Sequence, residues 1–283
     1  MLLSWVLTLQ PEEEATVPSN QGRAAHAWFL GRVRAADATL ADELHGGQGL
    51  RPFTVSNLWE LGREGGPEAS LLPARTYTLR ATSFSPRLSA LLRERVLPGL
   101  PPALSIGGAA LRVVGSTTDP AQHPWAAGAT FEGLVQQFTL AADVPRTVGL
   151  RFLSPTAFRV TGKKRAVPLP LPALVFGGLV DKWNAFAPIQ VHPDVRRFAE
   201  ECLAVSSYGL ETRRVLFGED GERGAYSGFV GRCHYYVEVP DRYWMGLIQL
   251  LAGFSLYAGV GVRTTMGLGQ ARKLEPRSGG RGR

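Results

Sequence analysis

The run from Trp244 to Val262, 19 residues without one charged side chain, constrains this chain more than any other stretch. It is long enough to cross a bilayer, so a membrane span has to be weighed first. Gln249, Ser255 and four glycines dilute it, and a glycine loop carrying Arg263 follows at once. A buried helix of about 15 residues running into a loop fits better. At the other end, Leu3, Trp5, Leu7 and Leu9 alternate with Ser4, Val6, Thr8 and Gln10, which describes a half-buried strand. Met1 to Leu9 lacks the positive segment and small-residue cleavage site of a signal peptide. Cys202 and Cys233 are too few for a disulfide framework and form no metal knuckle. The expectation is a cytoplasmic protein in a reducing compartment, with no membrane contact.

Length and composition then set the architecture. A chain of 283 residues suggests two domains at roughly 150 residues each. Its 33 glycines and 20 prolines predict many loops and short elements. After the first strand, Ser19 and Asn20 can cap a helix bearing Ala25, Phe29, Leu30 and Val33. Asp37 to His45 reads as a further helical turn or two, ended by Gly46 and Gly47. Phe53–Leu58 and Tyr77–Ser83 read as strands, Arg87–Val96 as a short helix, and Leu104–Val114 as a strand kinked at Gly107 and Gly108. The order is β-α-β-β-α-β.

Thr117 to Gly128 reads as a linker. Beyond it, Phe131–Ala141 and Thr147–Leu153 are expected strands, and Leu169–Phe186 a proline-started helix. Ser207–Phe217 and Tyr226–Val239 should form a hairpin around Gly218 to Gly221. Asp241 caps the apolar helix, and Gly267–Leu274 closes the half. The same element order recurs with one extra strand. The expected fold is therefore α+β, two tandem ferredoxin-like domains spanning 1–120 and 129–276, with the glycine loop at their shared cleft. Residues 277–283 form a basic tail. Arg272 to Arg283 supplies +4 of the net charge of +7, so the body is only mildly basic. That charge permits a polyanionic partner without proving one.

Gly259-Val260-Gly261, five residues, then Gly267-Leu268-Gly269 make a doubled glycine element. It is no phosphate loop of the ATPase kind, since no Gly-Lys-Ser/Thr follows. Dinucleotide-binding glycines precede a helix and use its positive end, whereas here the helix comes first and presents its negative end. Exposed loop amides and Arg263 would have to bind any anion. The glycines alone are explained as well by a tight turn between helix and edge strand.

The spacing resembles the C-terminal glycine-rich loop of the RAMP superfamily, in particular the CRISPR-associated endoribonucleases that cut precursor crRNA within its repeats. Leu44-His45 followed by Arg51-Pro52-Phe53-Thr54-Val55-Ser56 resembles that family's histidine segment and following strand. Phe152-Leu153-Ser154-Pro155-Thr156, Lys163-Lys164-Arg165, Leu174-Val175-Phe176 and Lys182-Trp183-Asn184 resemble its mid-chain pattern. Gly228-Phe229-Val230-Gly231 resembles its strand motif before the last helix. The resemblance covers about residues 1–274.

It implies cleavage of RNA without metal or any other cofactor, with the substrate's own 2′-OH as nucleophile. The products would be a 2′,3′-cyclic phosphate and a 5′-OH. Such a reaction needs a base, an acid and a cation near the phosphate, and imidazole suits both proton transfers. His45 is the first candidate, at a helix C-terminus beside a loop. The same position is also that of a histidine satisfying helix-end carbonyls. His26 is the second, on a helix that resembles the family's first. Some members carry a tyrosine one turn further on, where this chain has Phe29 and Leu30. His26 is equally a helix-surface residue. Arg51 stands where the family usually has lysine and would meet phosphate charge; an exposed strand-entry arginine is the plain alternative. His123, His192 and His234 read as structural. Arg159, Lys163, Lys164 and Arg165, with Arg263 and Gly259, Gly261, Gly267 and Gly269, are the expected RNA-binding set.

The expected partner is a CRISPR repeat RNA within precursor crRNA, then effector-complex subunits and a second copy of the chain. The rival reading is a non-catalytic RAMP subunit that holds crRNA, keeping Arg263 with no need of His45. A general RNA-binding module is the third.

Overall fold

The computed structural model describes residues 1–47, 49–61, 66–217 and 224–275. The basic tail 277–283 and the hairpin turn 218–221 expected from the sequence lie outside the described residues. In the first half, β1 (Leu2–Pro11) is central to a sheet ordered β3-β5-β1-β7-β6, with β3 at Phe53–Val55, β5 at Tyr77–Ser83, β6 at Ala103–Ile106 and β7 at Ala109–Thr117. All pairings are antiparallel, with Leu7 opposite Leu79 and Leu9 opposite Val113. A two-stranded ribbon joins β2 (Ala15–Pro18) to β4 (Glu68–Leu71). Helices α1 (Gly22–Ala36), α2 (Ala38–Gly46) and α3 (Pro86–Leu91) cover the sheet, and Ala25, Phe29, Leu30 and Val33 of α1 are buried as their spacing predicts.

In the second half the sheet is ordered β10-β11-β9-β12, with β9 at Thr147–Thr156, β10 at Leu203–Leu216, β11 at Ala225–Val237 and β12 at Ala271–Lys273. Numbered along its own sheet path, each half places its first strand between its third and its last. That is the ferredoxin-like arrangement, twice over. The core of this half is filled by α4 (Phe131–Thr139), α5 (Pro172–Phe186), α6 (Val195–Cys202) and α7 (Arg242–Ala258). No described helix is long and apolar enough to cross a membrane.

Several sequence expectations need correction. Phe131–Ala141 is not a strand: Thr130 accepts a hydrogen bond from the Gly133 amide at 2.9 Å and starts α4 instead. The extra element of the second half is therefore helical, α4 together with α6, and not a strand. Leu104–Val114 is two strands, because Gly107 and Gly108 at φ 62° and 92° turn the chain through a hairpin. The cap of α1 is Gln21 without a side-chain bond, although Asn20 Oδ1 accepts from the Gly22 amide at 3.2 Å. The stretch read as a linker contributes β8 (Ala127–Ala129), which pairs with Leu2–Ser4 of the first sheet.

The halves interlock through side chains. Phe84, fully buried, leaves the end of β5 and packs edge-on against Phe186 of α5 and Phe254 of α7, at 5.3 and 5.5 Å between ring centres.

Candidate active site

α7 ends at Ala258, and the doubled glycine element that follows is folded against itself. Gly259, Gly261, Gly267 and Gly269 all have left-handed backbones, with φ 61°, 80°, 90° and 66°. A Cβ on Gly269 would lie 2.1 Å from the Val260 carbonyl oxygen, and one on Gly261 would lie 2.4 Å from that of Ala157. Both conformation and space demand glycine there. Arg263, at φ 54°, forms the apex, and one turn of 3₁₀ helix, Thr264–Met266, follows it. The amides of Val260, Val262, Gly267 and Gly269 donate to the carbonyls of Gly269, Ala157, Val55 and Pro155. Those of Met266 and Leu268 donate to Arg263. Most amides that could have been offered to an anion are thus committed inside the protein, which leaves the apex around Arg263 to Thr265.

The loop's charge comes from side chains. The Arg263 guanidinium lies over the rings of Phe217 and Tyr226, 4.4 and 4.8 Å from their centres. Hydrogen bonding from Arg263, with help from Arg159, draws the Tyr226 phenol below its ordinary pKa. Arg159 and Arg263 therefore converge on one tyrosine at the end of the β10–β11 hairpin. Lys163, Lys164 and Arg165 lie exposed in the loop between β9 and α5. No described carboxylate pairs with them.

The 3₁₀ turn reaches the first half. Gly267 bridges to Ser56, and a Cβ on Gly22, at the start of α1, would lie 2.1 Å from the Met266 carbonyl oxygen. One turn along α1, His26 Nδ1 sits 3.0 Å from the Thr265 carbonyl oxygen. A carbonyl can only accept, so Nδ1 carries a proton, and in the neutral ring Nε2 is the nitrogen with the free lone pair. The ring stacks on Phe53 at 5.7 Å. Burial pulls the His26 pKa down, against the bond to Thr265, and the charges of His45 and Arg51 pull it further. His45 occupies the exposed last turn of α2, and Arg51 Nη2 donates to its carbonyl oxygen at 3.1 Å. His26, His45 and Arg51 thus share one electrostatic neighbourhood beside the glycine element.

Sequence reasoning missed Arg80 altogether and the burial of Lys182. Arg80 of β5 is 0% exposed and donates to Ser4 Oγ at 2.9 Å, Gln270 Oε1 at 2.6 Å and the Leu256 carbonyl. Burial lowers it to about 9. Lys182 of α5 donates to the carbonyls of Ala258 and Gly259 at 2.7 and 3.1 Å, and burial lowers it to about 7. The sequence signals for it were its place in the Lys182-Trp183-Asn184 stretch and its setting in the otherwise apolar Val175–Trp183 face of α5.

A groove of about 650 Å³ beside the loop was also unforeseen; Asn57, Trp59, Ser154, Arg213 and Arg214 are among its walls. The remaining histidines make local contacts away from this neighbourhood. His123 Nδ1 accepts from the Trp125 amide at 3.2 Å, His192 Nδ1 lies 3.9 Å from an Asp194 oxygen, and His234 Nδ1 meets Ser207 Oγ at 3.2 Å. Among the described residues no three His, Cys, Asp or Glu side chains are grouped to hold a metal.

Two family models match the chain. Residues 150–271 match that of the CRISPR-associated endoribonuclease Cas6, and residues 1–73 that of the CRISPR Cas6 N-terminal domain. Among solved structures, the chain is similar to a Thermus thermophilus Cas6 product complex at 29% identity and TM-score 0.79, covering 97% of this chain and 100% of that one. A Cas6 substrate-mimic complex is similar at 28% identity and TM-score 0.71, with 96% and 99% covered. A Cas6-related protein of Pyrococcus furiosus shares the fold at 14% identity and TM-score 0.61, with 98% and 100% covered. Comparison with curated protein sequences gives no significant match.

Proposed function

The chain belongs to the CRISPR-associated endoribonuclease Cas6 family, and on that premise we propose that it cuts precursor crRNA within the repeats by metal-independent 2′-OH attack. His26 is the base: its Nδ1 proton is held by Thr265, and its lowered pKa keeps Nε2 unprotonated near neutral pH. It takes the 2′-OH proton, the 2′-oxygen attacks phosphorus, and the bond from phosphorus to the 5′-oxygen breaks. His45 is the acid that protonates the departing 5′-oxygen. Arg51, with guanidinium donors beyond the one on His45, meets the charge on the pentacoordinate phosphate. Arg263, Arg159 and the cluster Lys163, Lys164 and Arg165 hold the RNA backbone with the glycine element.

The single observation that carries this reading is the hydrogen bond from His26 to Thr265, which ties a histidine of the first half to the glycine element of the second. The partners follow: repeat RNA first, then effector-complex subunits and a second copy of the chain, in the cytoplasm.

The test is incubation of a repeat RNA with the protein in chelator, followed by end-group analysis. Cyclic phosphate and 5′-OH ends are expected, and a single deoxyribose at the cut site should abolish cleavage. Cutting of that deoxy substrate, or a strict need for a divalent metal, would overturn the mechanism. Binding without cutting would favour the non-catalytic RAMP subunit. The acid limb of the pH–rate profile should lie below the ordinary histidine value of 6.5, because His26 must lose its proton to act and its pKa is lowered. An acid limb above that value would remove His26 from the base role.

A further inference from the structure

Lys182 has no place in the acid–base set, yet it sits at the base of the loop proposed to receive RNA. A helix C-terminus leaves four carbonyls unpaired within the helix and carries about half a negative charge. A phosphate brought to the next loop would be repelled by it. Here the Gly259 amide meets the Ser255 carbonyl, and the carbonyls that follow it, Leu256 to Gly259, have donors from other elements. Arg80 donates to Leu256, Thr82 Oγ1 to Tyr257 at 2.6 Å, and Lys182 to both Ala258 and Gly259. Thr82 demonstrates that a neutral hydroxyl satisfies such a carbonyl. Burying an ammonium costs far more than burying a hydroxyl, because its hydration is lost. A cation in this place therefore points to a need for charge as well as for a donor.

We propose that Lys182 is a positioning residue for RNA: its ammonium cancels the negative end of α7, so that phosphate approaches the glycine element without repulsion. The inference rests on the reading that this element receives RNA phosphate. Burial lowers Lys182 to about 7, so its charge fades as pH rises through neutrality. The charged and titratable groups on the surrounding elements are few. Arg80 lies at the adjacent carbonyl, the Tyr257 phenol is pushed up to about 12, and on α6 Arg196 pairs with Asp181 and Arg197 with Glu201. Of these, Arg80, lowered to about 9 by burial, loses charge only toward the top of the range between about pH 6 and about pH 9, and it does so in every variant that keeps it.

The experiment measures affinity for a repeat RNA made uncleavable by one deoxyribose, across that pH range, for wild type, Lys182→Gln and Lys182→Arg. The glutamine variant keeps a donor without the charge. It should bind about tenfold more weakly at about pH 6, the effect of one charge near 10 Å at an effective dielectric of 20. That gap should close by about pH 9, where wild-type Lys182 is neutral too. The arginine variant should hold its affinity while wild type loses it. His26 and Arg80 are the same in all three proteins and cancel in the comparison. A glutamine gap that is absent, or equal at every pH, would reduce Lys182 to a structural role. If Lys182→Gln does not fold, parallel curves for wild type and Lys182→Arg overturn the proposal alone. Failure of the wild-type protein to bind repeat RNA would instead overturn the functional reading, and this inference with it.

Discussion

The two halves share one strand order, and in each a glycine pair precedes the last strand of the pattern, but the pairs do different things. In the first half, Gly107 and Gly108 turn a simple hairpin, and a Cβ on Gly108 would meet nothing within 4 Å. In the second half the equivalent connection is swollen into the doubled glycine element, where side chains would strike backbone oxygens at every glycine but Gly267, which meets Asn57. The first pair serves only the chain's own turning. The second has been packed solid, with its amides spent on Val55, Pro155 and Ala157, so that what remains exposed is an apex of fixed shape. A topological slot becomes a site when its backbone is anchored from several sides and stops being a free turn.

The division of labour we propose, chemistry in the first half and grip in the second, can be broken in four ways. The largest effect should come from His45→Ala, which removes the proposed proton donor, a group used only in the transition state. Cleavage should fall roughly 10²–10⁴-fold with affinity nearly unchanged. A matching loss of affinity would move His45 into binding. Next, Gly269→Ala should cost about 3 kcal/mol or more, since strain at positive φ adds to a clash that no rotamer relieves. Thermal denaturation should report it as a drop of several degrees together with loss of RNA binding. A melting curve like wild type would show that the element can open without harm.

Third, replacing Lys163, Lys164 and Arg165 by alanine should weaken RNA binding and flatten its salt dependence by about 0.7 for each phosphate no longer neutralised. Titrations at several salt concentrations decide this, and an unchanged slope would return the cluster to solvent. The smallest effect belongs to Gly108→Ala, whose positive φ costs about 1 kcal/mol but which has room around it. Its melting point should fall only slightly and its RNA affinity should stay put. Comparable damage from Gly108→Ala and Gly269→Ala would erase the distinction between the two glycine pairs.

Much of this was readable in the chain. Alternation located β1, helical spacing located α1 and α7, and the doubled glycines marked the loop. α4 escaped although Phe131, Leu134, Val135 and Phe138 repeat at helical spacing behind a Thr130 cap, because aromatic and β-branched residues favour a strand as readily. α6 escaped for want of length: in eight residues, Val195, Phe198 and Ala199 are a single turn and a half of signal. His26 and His45 could be named, but not the Thr265 carbonyl that fixes the tautomer of His26, because that hydrogen bond spans 239 positions. The burial of Arg80 and Lys182 was illegible for a different reason. Charged residues in apolar runs are ordinarily at the surface, and only the fold reveals carbonyls waiting for them.

Arg80 also limits how such a chain can be shuffled. Its guanidinium is rooted in the first half, yet it depends on Gln270 and Leu256 of the second. A recombinant that joined this first half to a second half without those acceptors would inherit a buried cation missing its partners, a defect of about 3–5 kcal/mol. The halves are repeats in outline but not interchangeable parts, and viable crossovers would have to carry residue 80 and residues 256–270 together.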